Sequence, residues 1–265
     1  MPAESTREIE ATLIICSEDP LPVVASVGAI PSVAGNPLLA QDPVYIQDYY
    51  VDTPGGVLRF VDFSLRVREI NTSSWLTLKG PPTPLAHGLV ERMEMELPWS
   101  EDSLVRICDE LGHHGVQFSP VPNSHATLQP SEVLTLMGLE KVQYRENHRQ
   151  IRNISQPHGD RDLVLAELGI DSVVYHFETL QVHHYEVEVE AKSEEGIEVL
   201  PAVIQGLAEA YPTTLQKWDH GKLSTGRAVE ALLTQESFAG LVNRHGQLMP
   251  AAYPEIHRFL EQQET

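Results

Sequence analysis

The chain has 265 residues, a formal net charge of −20 and 42% hydrophobic residues. That much apolar material builds a proper core, either as one large domain or as two small ones. The acidic balance excludes a general nucleic-acid binder, because no basic surplus is available for phosphates, but it leaves room for a local basic pocket.

The opening stretch "MPAESTREIE" is acidic and has no apolar signal core, and no apolar run approaches a membrane span. A soluble, cytoplasmic protein with no membrane partner is expected. The first strand is "REIEATLIIC"; "EDPLPVVASVGAI" is a short helix started by Asp19 and Pro20. Residues 31–44 form a loop-like stretch with three prolines. "YIQDYYVDTP", "LRFVDFSLRVREI" and "SSWLTLKGP" are β-rich runs parted by turn signals at "TPGG" and "NTSS", and "LVERMEMELP" alternates in the same way. "SEDSLVRICDELGHHG" has a Ser N-cap, acids in its first turn and a closing Gly, and so reads as a helix. Residues 119–130 read as a Pro-containing loop. "EKVQYRENHRQIRNI", "LVLAELGIDSVVYHF" and "QVHHYEVEVEAK" then read as strands, and "SEEGIEVLPAVIQGLAEAYP" as one capped helix. "TGRAVEALLTQESFAGLVN" and "EIHRFLEQQ" read as terminal helices. About eight strands in two groups, each followed by a helix, point to an α+β chain whose antiparallel sheet closes on itself with flanking helices. Cys16 and Cys108 give no disulfide framework and no metal-ligand spacing, and read as reduced, buried thiols.

The charges carry the functional signal. Strand residues two apart face the same way. By that rule Glu8, Glu10 and Thr12 share a face, with Ile9, Leu13 and Ile15 opposite. Arg66 pairs with Arg68, Lys79 with Thr77, and Arg92 with Glu94 and Glu96. Lys141, Arg145 and Arg149 share a face, as do Glu167 and Asp171, and Glu186, Glu188 and Glu190. Any one such stripe is ordinarily a solvent face. Here several strands are wholly acidic and others wholly basic, whereas solvent faces tend to mix. If both sets line a barrel interior, the basic stripes hold a polyanion and the acidic ones hold hard divalent cations, Mg²⁺ or Mn²⁺. No GxxxxGK[ST] loop is present, so phosphates would be held by side chains.

Several of these runs together resemble the CYTH superfamily, the triphosphate tunnel metalloenzymes. "EIEAT" is close to the family's ExExK; "YYVDTPGGVLRFVDFSLRVRE" and "WLTLKGP" resemble its early blocks; "ERMEMELP" resembles its central Arg/Glu strand. "YRENHRQIR", "ELGIDSV" and "YEVEVEAK" match its later strands, and "HGKLSTGRAVEALL" resembles its closing segment, with Gly221 where Ser is usual. The resemblance implies a closed eight-stranded antiparallel tunnel over residues 1–233, with 234–265 a helical extension packed on the same domain. It implies Glu8 and Glu10 as catalytic acids of the first strand. Arg66, Arg68, Lys79, Arg92, Lys141, Arg145, Arg149 and Lys222 are the substrate-binding set, and Glu94, Glu96, Asp171, Glu186 and Glu188 the metal set. Glu94 and Glu96 can instead orient the basic residues.

Thr12 departs from the family, whose motif ends in Lys. Either Lys141 or Arg149 supplies that charge, or activity is weak or lost. Three functions remain open: metal-dependent hydrolysis of a small triphosphate (tripolyphosphate, thiamine triphosphate or a nucleoside triphosphate), cyclisation of ATP to cyclic AMP, and triphosphate binding without turnover. The pairs His113–His114 and His183–His184 read as surface residues, and Trp75, Trp99 and Trp218 as packing residues. Lys217 is the alternative phosphate ligand to Lys222. The segment from about Thr234 is amphipathic and either caps the barrel or forms a homodimer contact.

Overall fold

Ile9, Ala11, Leu13 and Ile15, and Tyr185, Val187 and Val189, are buried on one face of their strands, as the alternating sequence requires. The computed structural model describes residues 6–119, 128–158, 161–235, 238 and 240–263. Its principal strands are β1 (Thr6–Ile15), β2 (Val44–Asp52), β3 (Ser64–Ile70), β4 (Ser73–Lys79), β5 (Val90–Pro98), β6 (Glu140–His158), β7 (Arg161–His176), β8 (Gln181–Ala191) and β9 (Leu215–Trp218). The principal helices are α1 (Pro20–Gly28), α2 (Glu101–His113), α3 (Pro130–Leu136), α4 (Leu200–Ala210), α5 (Lys222–Leu233) and α6 (Ala252–Glu261). The hydrogen-bonded order is β1-β8-β7-β6-β2-β3-β4-β5, and β5 pairs in turn with β1. The result is a closed eight-stranded antiparallel β-barrel with flanking helices, an α+β fold. β9 adds to the end of β1, Thr12 opposite Trp218.

The chain forms two compact units. One contains the residues up to Glu8, Tyr45–Thr83 and Glu91–Arg145. Its core packs Leu65, Val67, Leu76, Leu78, Met95 and Leu97 of the strands against Leu104, Ile107 and Leu111 of α2 and Val133 and Leu134 of α3. Ser100 caps α2 as expected, its hydroxyl accepting from the Ser103 amide at 3.1 Å. The other unit contains Ile9–Val44, Pro84–Val90 and the residues from Glu146 on. Here Ile9, Ala11, Leu13 and Ile15 of β1 pack with Val187 and Val189 of β8, Val24 and Val27 of α1, and Val203 and Leu207 of α4. A further cluster joins Ile14, Val182 and Trp218 to Ala228, Val229 and Leu232 of α5 and to Ala252, Tyr253, Ile256 and Leu260 of α6.

Some elements differ from the sequence expectation. The helix expected from Ser193 to Pro212 is broken into Glu194–Ile197 and α4, because Pro201 lacks an amide and starts a new helix at its first turn. The helix expected to run to Asn243 stops at Leu233. β9 is too short for periodicity to reveal. The loop expected over 119–130 lies mostly outside the described residues. Cys16 is buried and Cys108 half-buried, both free. Among the described residues no helix is long and apolar enough to cross a membrane.

The seam between β7 and the turn before α4 depends on Gly196. A Cβ there would lie 1.8 Å from the Leu165 carbonyl oxygen, which already accepts from Lys192 at 2.8 Å. The atom it would strike is backbone and cannot swing aside. Gly196→Ala is expected to lower unfolding free energy by about 3 kcal/mol, at the upper end of overpacking costs, measured by urea denaturation.

Candidate phosphate and metal site

The first unit builds a guanidinium cluster. Antiparallel register sets Asp48 of β2 opposite Arg68 of β3, and Tyr50 opposite Arg66. Asp48 is 1% exposed, and its carboxylate accepts from Arg68 Nε at 2.8 Å, Arg145 Nη2 at 2.8 Å and Arg66 Nη1 at 3.5 Å. The Tyr50 hydroxyl accepts from Arg145 at 2.7 Å and Arg66 at 2.9 Å, and the Arg145 guanidinium lies 4.8 Å from the Tyr50 ring centre. Burial alone would push the Asp48 carboxyl up; Arg66, Arg68 and Arg145 outweigh it and hold it well below the usual range. Asp48 and Tyr50 thus hold three arginines together in a buried place.

Beside them, register sets Thr77 opposite Glu96 and Lys79 opposite Glu94. Lys79 Nζ donates to both oxygens of Glu8, 2.6 Å to Oε1, and lies 3.5 Å from Glu94. Glu96 lies 3.8 Å from Arg66 and 3.9 Å from Arg68, and accepts from the Thr77 hydroxyl at 3.1 Å. Glu94 and Glu96 therefore sit against the cations.

The second unit builds a carboxylate cluster. Asp171 of β7 lies opposite Glu186 of β8, Gly169 opposite Glu188, and Glu167 opposite Glu190. On the other side of β8, Thr12 of β1 faces Glu188 and Glu10 faces Glu190. Asp171, Glu186 and Glu188 each present an oxygen, all within 4.8 Å of one another. Two cations hold them. Arg149 of β6 donates to Asp171 through Nε (2.7 Å) and Nη2 (2.6 Å), and also to Glu188. Lys222 Nζ lies 2.8 Å from Asp171 and 2.6 Å from Glu188, and pairs with Glu186 as well. Glu190 is paired with Lys192 at 2.7 Å.

Lys222 opens α5, whose positive N-terminal end favours nearby carboxylates. Gly221 at the N-cap offers no side chain. The first turn is pinned instead by the Trp218 indole, which donates to the Thr225 hydroxyl at 3.0 Å, and by the Tyr175 hydroxyl, which donates to the Lys222 carbonyl at 2.8 Å. Gly169 lets Arg149 lie flat across β7: a Cβ there would come within 2.9 Å of the guanidinium carbon. Burial raises Asp171, but Arg149 and Lys222 outweigh it and hold its carboxyl down to about 2. Burial lowers Lys222, but Asp171, Glu186 and Glu188 outweigh it and push it up.

The sequence-named residues thus divide. Arg66, Arg68, Arg145, Lys79, Glu8, Glu94 and Glu96 gather in one cluster, and Arg149, Lys222, Asp171, Glu186 and Glu188 in the other. Glu10 lies one strand from Glu190. Lys141 is exposed and Arg92 half-buried, and neither has an ion-pair partner among the described residues. Of the two candidates to replace the charge missing at Thr12, Arg149 reaches the carboxylates. Lys217 is half-exposed and paired with Asp219 at 3.0 Å. Asp48, Tyr50 and Gly169 were not foreseen. Nor was the burial of His184, which corrects the surface reading of that pair. His184 is 0% exposed, because strand alternation puts it on the face of Glu186. His113 and His114 are exposed. Trp218 is buried as packing and Trp75 and Trp99 are half-buried.

A CYTH domain model matches residues 37–220. The chain belongs to the CYTH domain family. Among solved structures it is similar to a putative adenylyl cyclase from Hippeastrum, described as having a dominant triphosphatase activity: 18% identity, 83% of this chain and 95% of that one, TM-score 0.51. It is also similar to a protein of Pyrococcus horikoshii: 18% identity, 86% and 99% coverage, TM-score 0.45. No curated protein matches the chain. CYTH enzymes depend on divalent metal, and the trio fits one: three carboxylates within 4.8 Å are the hard oxygen donors such an ion takes.

Two outcomes follow for stability. Asp48→Ala leaves buried guanidiniums without their shared carboxylate and is expected to cost about 3–5 kcal/mol, read from urea unfolding. For Asp171 the folded pKa lies below the unfolded one, so its contribution, roughly 2 kcal/mol, is present above about pH 4 and is lost as pH falls toward 2. Asp171→Asn should flatten that part of the acid-unfolding curve relative to the wild type.

Proposed function

We propose that the protein is a metal-dependent hydrolase of a small triphosphate, with Mg²⁺ or Mn²⁺ as the ion. One observation carries the reading: the fold buries two charge clusters of opposite chemistry, arginines gathered on Asp48 and carboxylates gathered at Asp171, Glu186 and Glu188. Guanidiniums suit phosphoryl oxygens and clustered carboxylates suit a hard cation, whereas a solvent face calls for neither. Arg66, Arg68, Arg145 and Lys79 bind phosphoryl oxygens; guanidiniums carry five donors each, so those spent on Asp48 leave others for substrate. Asp171, Glu186 and Glu188 hold the ion, which when bound neutralises phosphoryl charge.

Glu8 has both oxygens on Lys79 and orients that lysine. Glu10, beside Glu190, is the residue that takes the proton from the attacking water. Arg149 and Lys222 carry positive charge where Thr12 has none.

Phosphate release from tripolyphosphate, ATP and thiamine triphosphate, each with Mg²⁺ and with Mn²⁺, tests the proposal. Release from at least one substrate is expected, with Glu10→Gln lowering kcat by about 10²-fold or more. Cyclic AMP from ATP without net phosphate release would make the protein a cyclase. Thermal stabilisation by tripolyphosphate without any release would make it a binding protein.

A further inference from the structure

Glu186 is held by a group that the hydrolase reading does not use. His184, two residues earlier on the same face of β8, is 0% exposed. Its Nε2 lies 2.6 Å from Glu186 Oε2, and its Nδ1 lies 3.1 Å from the hydroxyl of Tyr253. Tyr253 is in the first turn of α6, beyond residues 37–220 that the family model matches. The ring is also enclosed by aromatic faces: Tyr175 is stacked at 6.2 Å between centres and Tyr253 is tilted at 5.7 Å. A ring bonded at both nitrogens and packed between aromatics has one orientation.

The proton order follows from the partners. A neutral imidazole has one donor and one acceptor nitrogen. Glu186 as a carboxylate only accepts, so Nε2 carries the hydrogen. Nδ1 meets the Tyr253 hydroxyl, so both ring nitrogens are engaged. Burial pushes that hydroxyl well above the usual tyrosine range, so it keeps its proton. Glu186 consequently has Oε2 committed to His184, while Oε1 faces Lys222 and the rest of the trio. Without His184, a buried carboxylate oxygen would lack its donor and the side chain would be free to turn.

We infer that Tyr253, acting through His184, is a positioning group that fixes the Glu186 carboxylate for metal binding, so that the C-terminal helix is part of the site and not only a cover. The inference rests on the reading of Asp171, Glu186 and Glu188 as the metal trio. Histidine–carboxylate contacts of this kind behind a metal ligand hold its orientation, and their loss weakens metal affinity by about 10–100-fold.

The test is calorimetric titration of the full chain with Mn²⁺ alone, paired with ¹⁵N NMR of the histidine rings. Wild type is expected to bind Mn²⁺ and to show a hydrogen held on His184 Nε2. His184→Ala should weaken Mn²⁺ binding by about 10-fold or more, and His184→Gln, whose amide can still donate to Glu186, should recover part of it. Tyr253→Phe removes a single oxygen and leaves the ring packing; it should weaken binding in the same direction and shift the His184 Nδ1 signal. Unchanged Mn²⁺ affinity in either Tyr253→Phe or His184→Ala, or a wild-type His184 whose Nε2 carries no hydrogen, overturns the inference while leaving the trio as a metal site. A wild type that binds no Mn²⁺ overturns the trio reading itself, and the positioning role with it.

Discussion

A carboxylate with no exposure to water must be met by cations, and much of this molecule is arranged around that requirement. Asp48, Asp171 and Glu186 are each at most 1% exposed. An unpaired charge in such a place costs several kilocalories per mole, a large share of a domain's net stability. The pairing is therefore a constraint on the fold itself. It constrains strand register, since a slip of one residue would turn each side chain to the opposite face. It also constrains single positions: Gly169 must lack a side chain for Arg149 to pass, and the first turn of α5 must be pinned by Trp218 and Tyr175 for Lys222 to reach the trio.

The same requirement explains how β8 tolerates a carboxylate at every second position. Like charges side by side on a strand repel. Here each meets a cation: Glu186 and Glu188 share Lys222, Glu188 also has Arg149, and Glu190 has Lys192. These cations come from β6, from α5 and from the residue just past β8. A sequence reading can see the stripe, because alternation is local. It cannot see Arg149 or Lys222, because each meets the stripe only once the neighbouring strands and α5 have packed around β8.

That division runs through the whole site. Charged faces were legible strand by strand, and the closed barrel followed once the runs were set beside the CYTH pattern. Which cation meets which carboxylate was not legible. Asp48 carries the same period-two signal with Tyr50, but an acid between tyrosines in a strand reads equally well as a solvent face, and only the register with Arg66 and Arg68 shows otherwise. His184 was hidden for a similar reason. Two adjacent histidines must point to opposite sides of a strand, and nothing local says which is inside. The outcome rested on phase: His184 has the phase of Glu186, and His183 does not.

Thr12 shows what a single position leaves open. Read alone, a threonine in place of a lysine removes a positive charge from the first strand. In the fold Thr12 faces Glu188 across the β1–β8 pair and Trp218 across the β1–β9 pair. The charge beside Glu188 comes from elsewhere, from Lys222 at 2.6 Å and from Arg149. Two cations against three carboxylates leave the trio with only a small formal negative charge. Any dication that uses these oxygens must compete with the Lys222 ammonium for them, because one carboxylate oxygen cannot approach both closely without the cations repelling each other. The lysine that stabilises the trio in this structure is thus the group that an ion held at these oxygens would have to displace. If Asp171, Glu186 and Glu188 take an ion as proposed, phosphoryl oxygens bound with it would offer the displaced ammonium new partners.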